Sequence, residues 1–319
     1  MDLLDATSDD IRHAYRLLLG REPDPAGLEH FKRVVSSTPH TSLDVARYFL
    51  GCAEFSATNC RAGAPLEVEF DGYVMFVGPD DRDIGASVAR QAYEPHVAAV
   101  VREVLRSGDT FVDVGANIGY FAALGASLVG PSGRVVAIEP MDKNVQLISA
   151  TIWRNGFNQI EVLPFAASDS TKLVAMATSA GSSNGEVVAR ATNDSVPVLF
   201  AHARTLNDML HEVDRIDLIK FDIEGHELPA WRGFAEGMMR HRPMVLTEFH
   251  PRCMRENAGV EPSDYLDLLF AYADVVEVLV SPSRRVRCRN SFEVISQWEA
   301  ADRRFGSTGS THLDLYLRP

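Results

Sequence analysis

In Asp113-Val114-Gly115-Ala116-Asn117-Ile118-Gly119-Tyr120-Phe121 an apolar strand runs into two glycines and then into a helical pattern. Glycines at such a junction let the backbone turn sharply and come close to a ligand. A dinucleotide fingerprint would need glycine at 115, 117 and 120. Asn117 and Tyr120 stand at two of those positions and the second glycine is Gly119, which argues against NAD. Asn117 can replace a glycine because asparagine tolerates a positive φ. The next apolar strand ends in Ile138-Glu139-Pro140, which places a carboxylate beside the glycine turn, where it can accept hydrogen bonds from both hydroxyls of a ribose.

Outward from this turn, short apolar runs alternate with helical stretches. Thr110 to Val114, Arg134 to Ile138, Ile160 to Phe165, Ile216 to Phe221 and Met244 to Glu248 read as strands, the rhythm of a doubly wound parallel sheet. Val275 to Val280 and His312 to Leu317 add an antiparallel pair. Upstream, Leu66 to Phe70, the turn Asp71-Gly72 and Tyr73 to Val77 predict a hairpin. The first sixty residues read as helices. Ile11, Ala14, Tyr15, Leu18 and Leu19 form an apolar stripe closed by Gly20, Pro25 opens a second helix, and Leu43 to Leu50 form a third. This divides the chain into a helical domain over 1–62 and an α/β domain over 63–319.

With 319 residues, 46% hydrophobic, the chain has enough apolar material for a large core. A formal charge of -13 argues against a protein that coats nucleic acid. Cys52, Cys60, Cys253 and Cys288 show no CxxC spacing and are expected as free thiols. No apolar run reaches the roughly 20 residues of a membrane span, and the N-terminus has no basic flank. The expected setting is the cytoplasm.

Ile216-Asp217-Leu218-Ile219-Lys220-Phe221-Asp222-Ile223-Glu224-Gly225-His226-Glu227 puts Lys220, Asp222 and Glu224 on one face by alternation. Three charges on one face of a central strand are costly unless they open into a site. Glu227 also fits a helix start, and Lys220 can simply neutralise a carboxylate. His226 and His250 fall at strand ends, where a histidine can accept a proton. His250 is preferred as base, with Glu248 on the same side to orient it. Asp222 and Glu248 end adjacent strands and could hold a divalent cation. The metal-free alternative, in which Asp222 takes the cofactor ammonium, is favoured because no third clear oxygen ligand is visible. Arg284, Arg285, Arg287 and Arg289 either contact a phosphate or protect a sheet edge. Trp153, Trp231 and Trp298 are expected in core or rim packing.

Asp113 to Phe121, Glu139-Pro140, Lys220 to Glu227 and Glu248-Phe249-His250 together resemble the FkbM family of S-adenosylmethionine-dependent methyltransferases, from about Glu67 onward. The resemblance implies a class I Rossmann-like fold, a mainly parallel seven-stranded sheet ending in an antiparallel pair. It also implies cofactor contacts at Asp113, Gly115, Asn117, Gly119, Glu139, Ala166 and Asp222, and O-methylation of a hydroxyl on a saccharide or another natural product. A nonsugar hydroxyl, an amine or a cofactor-binding scaffold role are the alternatives. Gln91-Ala92-Tyr93-Glu94-Pro95 resembles a family segment beside the cofactor, or starts a helix. Leu19 to Gly27 with Phe49-Leu50 and Glu54-Phe55 resembles a small helical module attached to assorted bacterial enzymes and surface proteins, which implies a biosynthetic partner.

Overall fold

The computed structural model describes residues 7–8, 11–12, 14–15, 22–37, 45, 64–178, 182–188 and 198–319. Its contacts divide the chain into two compact units, Met1–Ala64 and Pro65–Pro319. In the first, a helix spans Pro25–Ser37, opened by Pro25 and by Asp24, whose Oδ1 accepts from the Gly27 amide at 2.9 Å. Ile11, Ala14 and Tyr15 are helical and buried, and the Tyr15 and Phe31 rings meet edge-on at 5.8 Å. Leu18 to Gly20, the predicted third helix apart from Val45, and Cys52 and Cys60 lie outside the described residues.

In the second unit the strands are β1 Leu66–Phe70, β2 Tyr73–Val77, β3 Thr110–Val114, β4 Arg134–Ile138, β5 Ile160–Leu163, β6 Ala166–Ala167, β7 Lys172–Thr178, β8 Gly185–Val188, β9 Val198–Arg204, β10 Leu218–Phe221, β11 Met244–Phe249, β12 Val275–Ser281, β13 Arg284–Cys288 and β14 Leu313–Arg318. The hairpin β1–β2 pairs antiparallel around Asp71-Gly72, with Gly72 at φ +87. The main sheet runs β13-β12-β14-β11-β10-β3-β4-β5. Its strands β5, β4, β3, β10 and β11 are mutually parallel, and β14 is inserted antiparallel between β11 and β12. The expected seven-stranded sheet is therefore eight-stranded, because Arg284–Cys288 turns back from β12 and pairs with it as an edge strand. Arg285 on that edge pairs with Glu103 and Glu277 and stacks on Tyr316, so the edge-protection reading of the arginines fits it.

The central strands are covered on both faces, as parallel strands require. Val112, Val114, Ile219, Phe221 and Val245 enter one buried cluster, while Phe111, Leu218, Leu246, Val135 and Ala137 enter the other. Trp231 packs in the first, 5.6 Å from the Phe221 ring, and Trp298 is half-buried. Trp153 departs from expectation, lying 83% exposed on the helix Asp142–Asn155.

Sequence reading missed a second sheet of four strands, ordered β6-β9-β7-β8, between β5 and β10. The alanines in Lys172–Thr178 and Val198–Arg204 blur the alternation that marks a strand, and the β7–β9 pairing is nonlocal. In the main sheet the chain leaves β3 for β4 on one side and reaches β10 on the other. That reversal opens a crevice beyond the strand ends, where ligands of open α/β sheets bind. Among the described residues no helix is long and apolar enough to cross a membrane.

Candidate active site

Three chain turns meet at this crevice. After β3, Gly115, Asn117 and Gly119 all have positive φ (+83, +50 and +87). Asn117 thus occupies the left-handed region and closes the turn with its own side chain, Oδ1 accepting from the Ile118 amide at 2.8 Å. The Gly115 and Ala116 amides donate to the Ile138 carbonyl, which ties the turn to β4. Glu139 follows on β4 and braces the turn. Its Oε2 accepts from the Asn117 amide at 2.8 Å, and its Oε1 from the Met141 amide at 2.9 Å and Asn144 Nδ2 at 3.1 Å. Oε1 thus takes two donors and Oε2 one, which leaves Oε2 an acceptor position.

β10 delivers Lys220, 3% exposed, with Nζ 2.6 Å from Asp222 Oδ2 and 4.7 Å from the centre of the Phe121 ring. Burial alone would lower its pKa, but Asp222, Glu94 and Asp113 outweigh burial and hold it above the ordinary lysine value. Beyond Asp222 the backbone turns through Glu224 (φ +54) and Gly225 (φ +92). Glu227, as expected for a helix start, opens the helix Glu227–Arg232, and its Oε1 accepts from the Ile223 and Gly225 amides at 3.0 and 3.2 Å.

The cavity over these turns measures ≈ 320 Å³. Of the expected cofactor positions, Gly115, Asn117, Glu139, Ala166 and Asp222 line it. Asp113 and Gly119 do not. Asp113 lies beneath the turn, 1% exposed, and burial outweighs Lys220 and the Ala122 amide and pushes it up to about 6. Gly119 packs on Ile148 instead, where an added Cβ would come within 2.9 Å of the side chain. All four expected catalytic residues, Asp222, His226, Glu248 and His250, line the cavity.

Their pairing differs from expectation. Glu248 was expected to orient His250, yet its Oε1 lies 3.2 Å from Nδ1 of His312, a histidine absent from the expected site. His250 caps the helix Pro251–Ala258, its Nδ1 accepting from the Cys253 amide at 3.4 Å, and burial together with His312 lowers its pKa. His312 is 48% exposed at the cavity wall, with a buried carboxylate behind it. His226 is buried, Nε2 at 3.0 Å from Ser168 Oγ, and burial followed by Lys172 lowers its pKa to about 4, so it stays neutral. The second sheet closes the far wall with Met176, Gly185 and Val187. From the same segment Asn184 accepts from Asn117 Nδ2 at 3.2 Å and donates to Glu224 Oε1. Tyr93 and Glu94 also line the cavity, just before the helix Pro95–Val104, so that segment both starts a helix and borders the site.

Asp222, Glu224 and Glu248 each bring one oxygen to within 4.8 Å of the others, so the third carboxylate that sequence reading did not find is Glu224. Burial pushes Glu139 and Glu224 up to about 7. Glu94, Asn144, His226 and Glu248 each turn a buried polar atom to this region with no partner among the described residues. The cavity is thus short of both positive charge and hydrogen-bond partners. A ligand that carries a sulfonium, an ammonium and hydroxyls supplies both.

A sequence model described as Methyltransferase FkbM domain matches residues 113–276, just over half of the chain. Among curated proteins, the chain is similar to Protein-L-isoaspartate O-methyltransferase 2 of Archaeoglobus fulgidus, 37% identical over 71 residues, which are 22% of this chain and 32% of that protein. The chain therefore spans about a third of that relative's length. Among solved structures it is similar to the methyltransferase FkbM of Methylobacillus flagellatus KT at 18% identity, covering 83% of this chain and 70% of that one, with a TM-score of 0.39. It is also similar to the O-methyltransferase TomG of Streptomyces achromogenes at 15% identity, covering 72% and 80%, with a TM-score of 0.39.

Proposed function

The chain belongs to the FkbM methyltransferase family and uses S-adenosylmethionine, and on that premise we propose that it methylates a hydroxyl oxygen, a saccharide hydroxyl before any other. Bound S-adenosylmethionine supplies a methyl group made electrophilic by the sulfonium it leaves. The chain's part is to hold, align and deprotonate. In this reading the Gly115 to Ile118 turn and Glu139 hold the ribose end, Ala166 lies against the base, and the ammonium lies on the Asp222 side of the crevice.

The observation that carries the acceptor class is the ring of carboxylates, Glu94, Asp222, Glu224 and Glu248, around one cavity. Such a wall accepts hydrogen bonds from hydroxyls and repels an anionic acceptor. That favours a hydroxyl over the carboxyl acceptor named for the isoaspartate relatives. A nonsugar hydroxyl or an amine is the rival within the same chemistry. His312, backed by buried Glu248, is set to receive the hydroxyl proton, the arrangement of a base with an orienting acid. Residues 1–62 would serve as a separate recruitment module for a biosynthetic partner, and the free thiols Cys253 and Cys288 suit a cytoplasmic setting.

Incubation with methyl-labelled S-adenosylmethionine and neutral or carboxylate-bearing glycans tests this. The expected product is a methyl ether that survives mild alkali. An alkali-labile methyl ester would overturn the hydroxyl reading. In the same assay His312→Ala should lower turnover about 100-fold or more at unchanged cofactor affinity. Near-normal turnover there, with a large loss in His250→Ala, would return the role to His250.

Glu139→Ala should weaken S-adenosylmethionine binding by about 1–3 kcal/mol, since it removes both the spare acceptor and the brace of the turn. Calorimetry on a folded variant with unchanged affinity would remove Glu139 from the cofactor site.

A further inference from the structure

We propose that Asp222, Glu224 and Glu248 form a binding site for a hard divalent cation of the Mg²⁺, Mn²⁺ or Ca²⁺ type. One oxygen from each lies within 4.8 Å of the others, at the ends of the adjacent strands β10 and β11. Each carboxylate is held through one oxygen by a different neighbour. Lys220 Nζ holds Asp222 Oδ2 at 2.6 Å, Asn184 Nδ2 holds Glu224 Oε1, and His312 Nδ1 holds Glu248 Oε1 at 3.2 Å. Ligand carboxylates are commonly oriented by such outer partners, which fix one oxygen and present the other.

Glu248 supplies a second and separate observation. Its side chain is only 7% exposed, it lines the cavity, and its Oε2 is buried with no hydrogen-bond partner among the described residues. A buried carboxylate oxygen that no protein group satisfies is costly, and a cation is a partner that meets it. Lys220 is already committed to Asp222. The donor set is all oxygen, which selects hard cations over thiolate-seeking metals. Glu224 is kept in its left-handed conformation while Asn257 Nδ2 donates to its carbonyl at 2.9 Å, so the ligand turn is fastened from both sides.

The proposal does not depend on which acceptor is methylated, because cation binding is measured without one. Full-length protein stripped with chelator is titrated with Mn²⁺ and followed by electron paramagnetic resonance, with Mg²⁺ and Ca²⁺ as competitors. One saturable site per chain is expected, retained in the presence of S-adenosylhomocysteine. Glu224→Gln should weaken it at least 10-fold, and Glu248→Gln by about 10- to 100-fold. Asp169→Asn, an exposed acid paired with Lys172, should leave it unchanged. Should Glu248→Gln fail to fold, the Glu224 variant decides alone. The absence of a saturable site, or equal affinity in Glu224→Gln and the unaltered protein, overturns the proposal. So does displacement of Mn²⁺ by S-adenosylmethionine or by S-adenosylhomocysteine, since both carry the ammonium and the carboxylates would then serve the cofactor's charge instead.

Discussion

Replacing Lys220 with Met is expected to cost about 3–5 kcal/mol of stability, read from urea unfolding at neutral pH. The methionine fills much of the lysine's volume against Phe121, so the loss is not mainly one of packing. What disappears is the cation facing Asp222, Asp113 and Glu94. Asp113, 1% exposed, has no solvent to turn to. Burial already pushes it up to about 6 with Lys220 present. The sign of the pH effect follows. In the window between the ordinary aspartate value near 3.8 and the raised native value, the folded variant binds more protons than the unfolded chain, so its stability falls as pH rises. The deficit relative to the unaltered protein should therefore be smaller at pH 4 than at pH 8. Adding Asp222→Asn to the Lys220→Met variant should recover part of the loss. A Lys220→Met protein as stable as the parent at both pH values would mean that the charge cluster is not what this lysine holds together.

Gly115→Ala should abolish measurable cofactor binding, with affinity lowered by about 100-fold or more, equivalent to about 3 kcal/mol. At φ +83 an added Cβ would sit 1.9 Å from the Asp222 carbonyl oxygen and 2.9 Å from its carbon. These are backbone atoms of the neighbouring turn, so no side chain can swing aside. Relief requires the β3 and β10 turns to separate, which opens the crevice between Asp222 and the glycine turn. Gly156→Ala is the matched control, because it shares a positive φ (+65) but meets nothing within 4 Å. It should cost about 1 kcal/mol of stability and leave binding intact. Calorimetry on both, with circular dichroism to confirm folding, makes the comparison. Normal affinity in Gly115→Ala would show that the two turns are not the jaws of the cofactor site.

Both effects lie in stretches whose meaning could be read before any coordinates. The glycine turn, Glu139, the hairpin and the charged end of β10 are local signals in which a few neighbouring residues fix backbone and chemistry together. Asn117 at φ +50 is such a case, since its residue type alone permits the turn. The second sheet carried no such signal. The pairing of Glu248 with His312 was hidden for a different reason. In the antiparallel register of β11 and β14, Glu248 faces Asp314, and His312 comes within reach only because the chain just before β14 runs past the end of β11. Nothing near residue 248 or residue 312 announces that meeting. His250, two residues along the chain, shares a face with Glu248 by alternation, but its ring caps the helix that it precedes.

The position of β14 has a consequence for how the protein is made. The parallel half of the sheet is complete once β11 has been synthesised, but its edge is then closed by no neighbour, because β14 pairs with both β11 and β12. At about 5–20 residues per second the ribosome needs roughly 3–13 s to pass from the end of β11 to the start of β14. For that interval the outer edge of β11 presents backbone groups without the partner that β14 later supplies, a template for misassembly with other chains. Chaperone demand should concentrate in those seconds, and His312 reaches the crevice only after them.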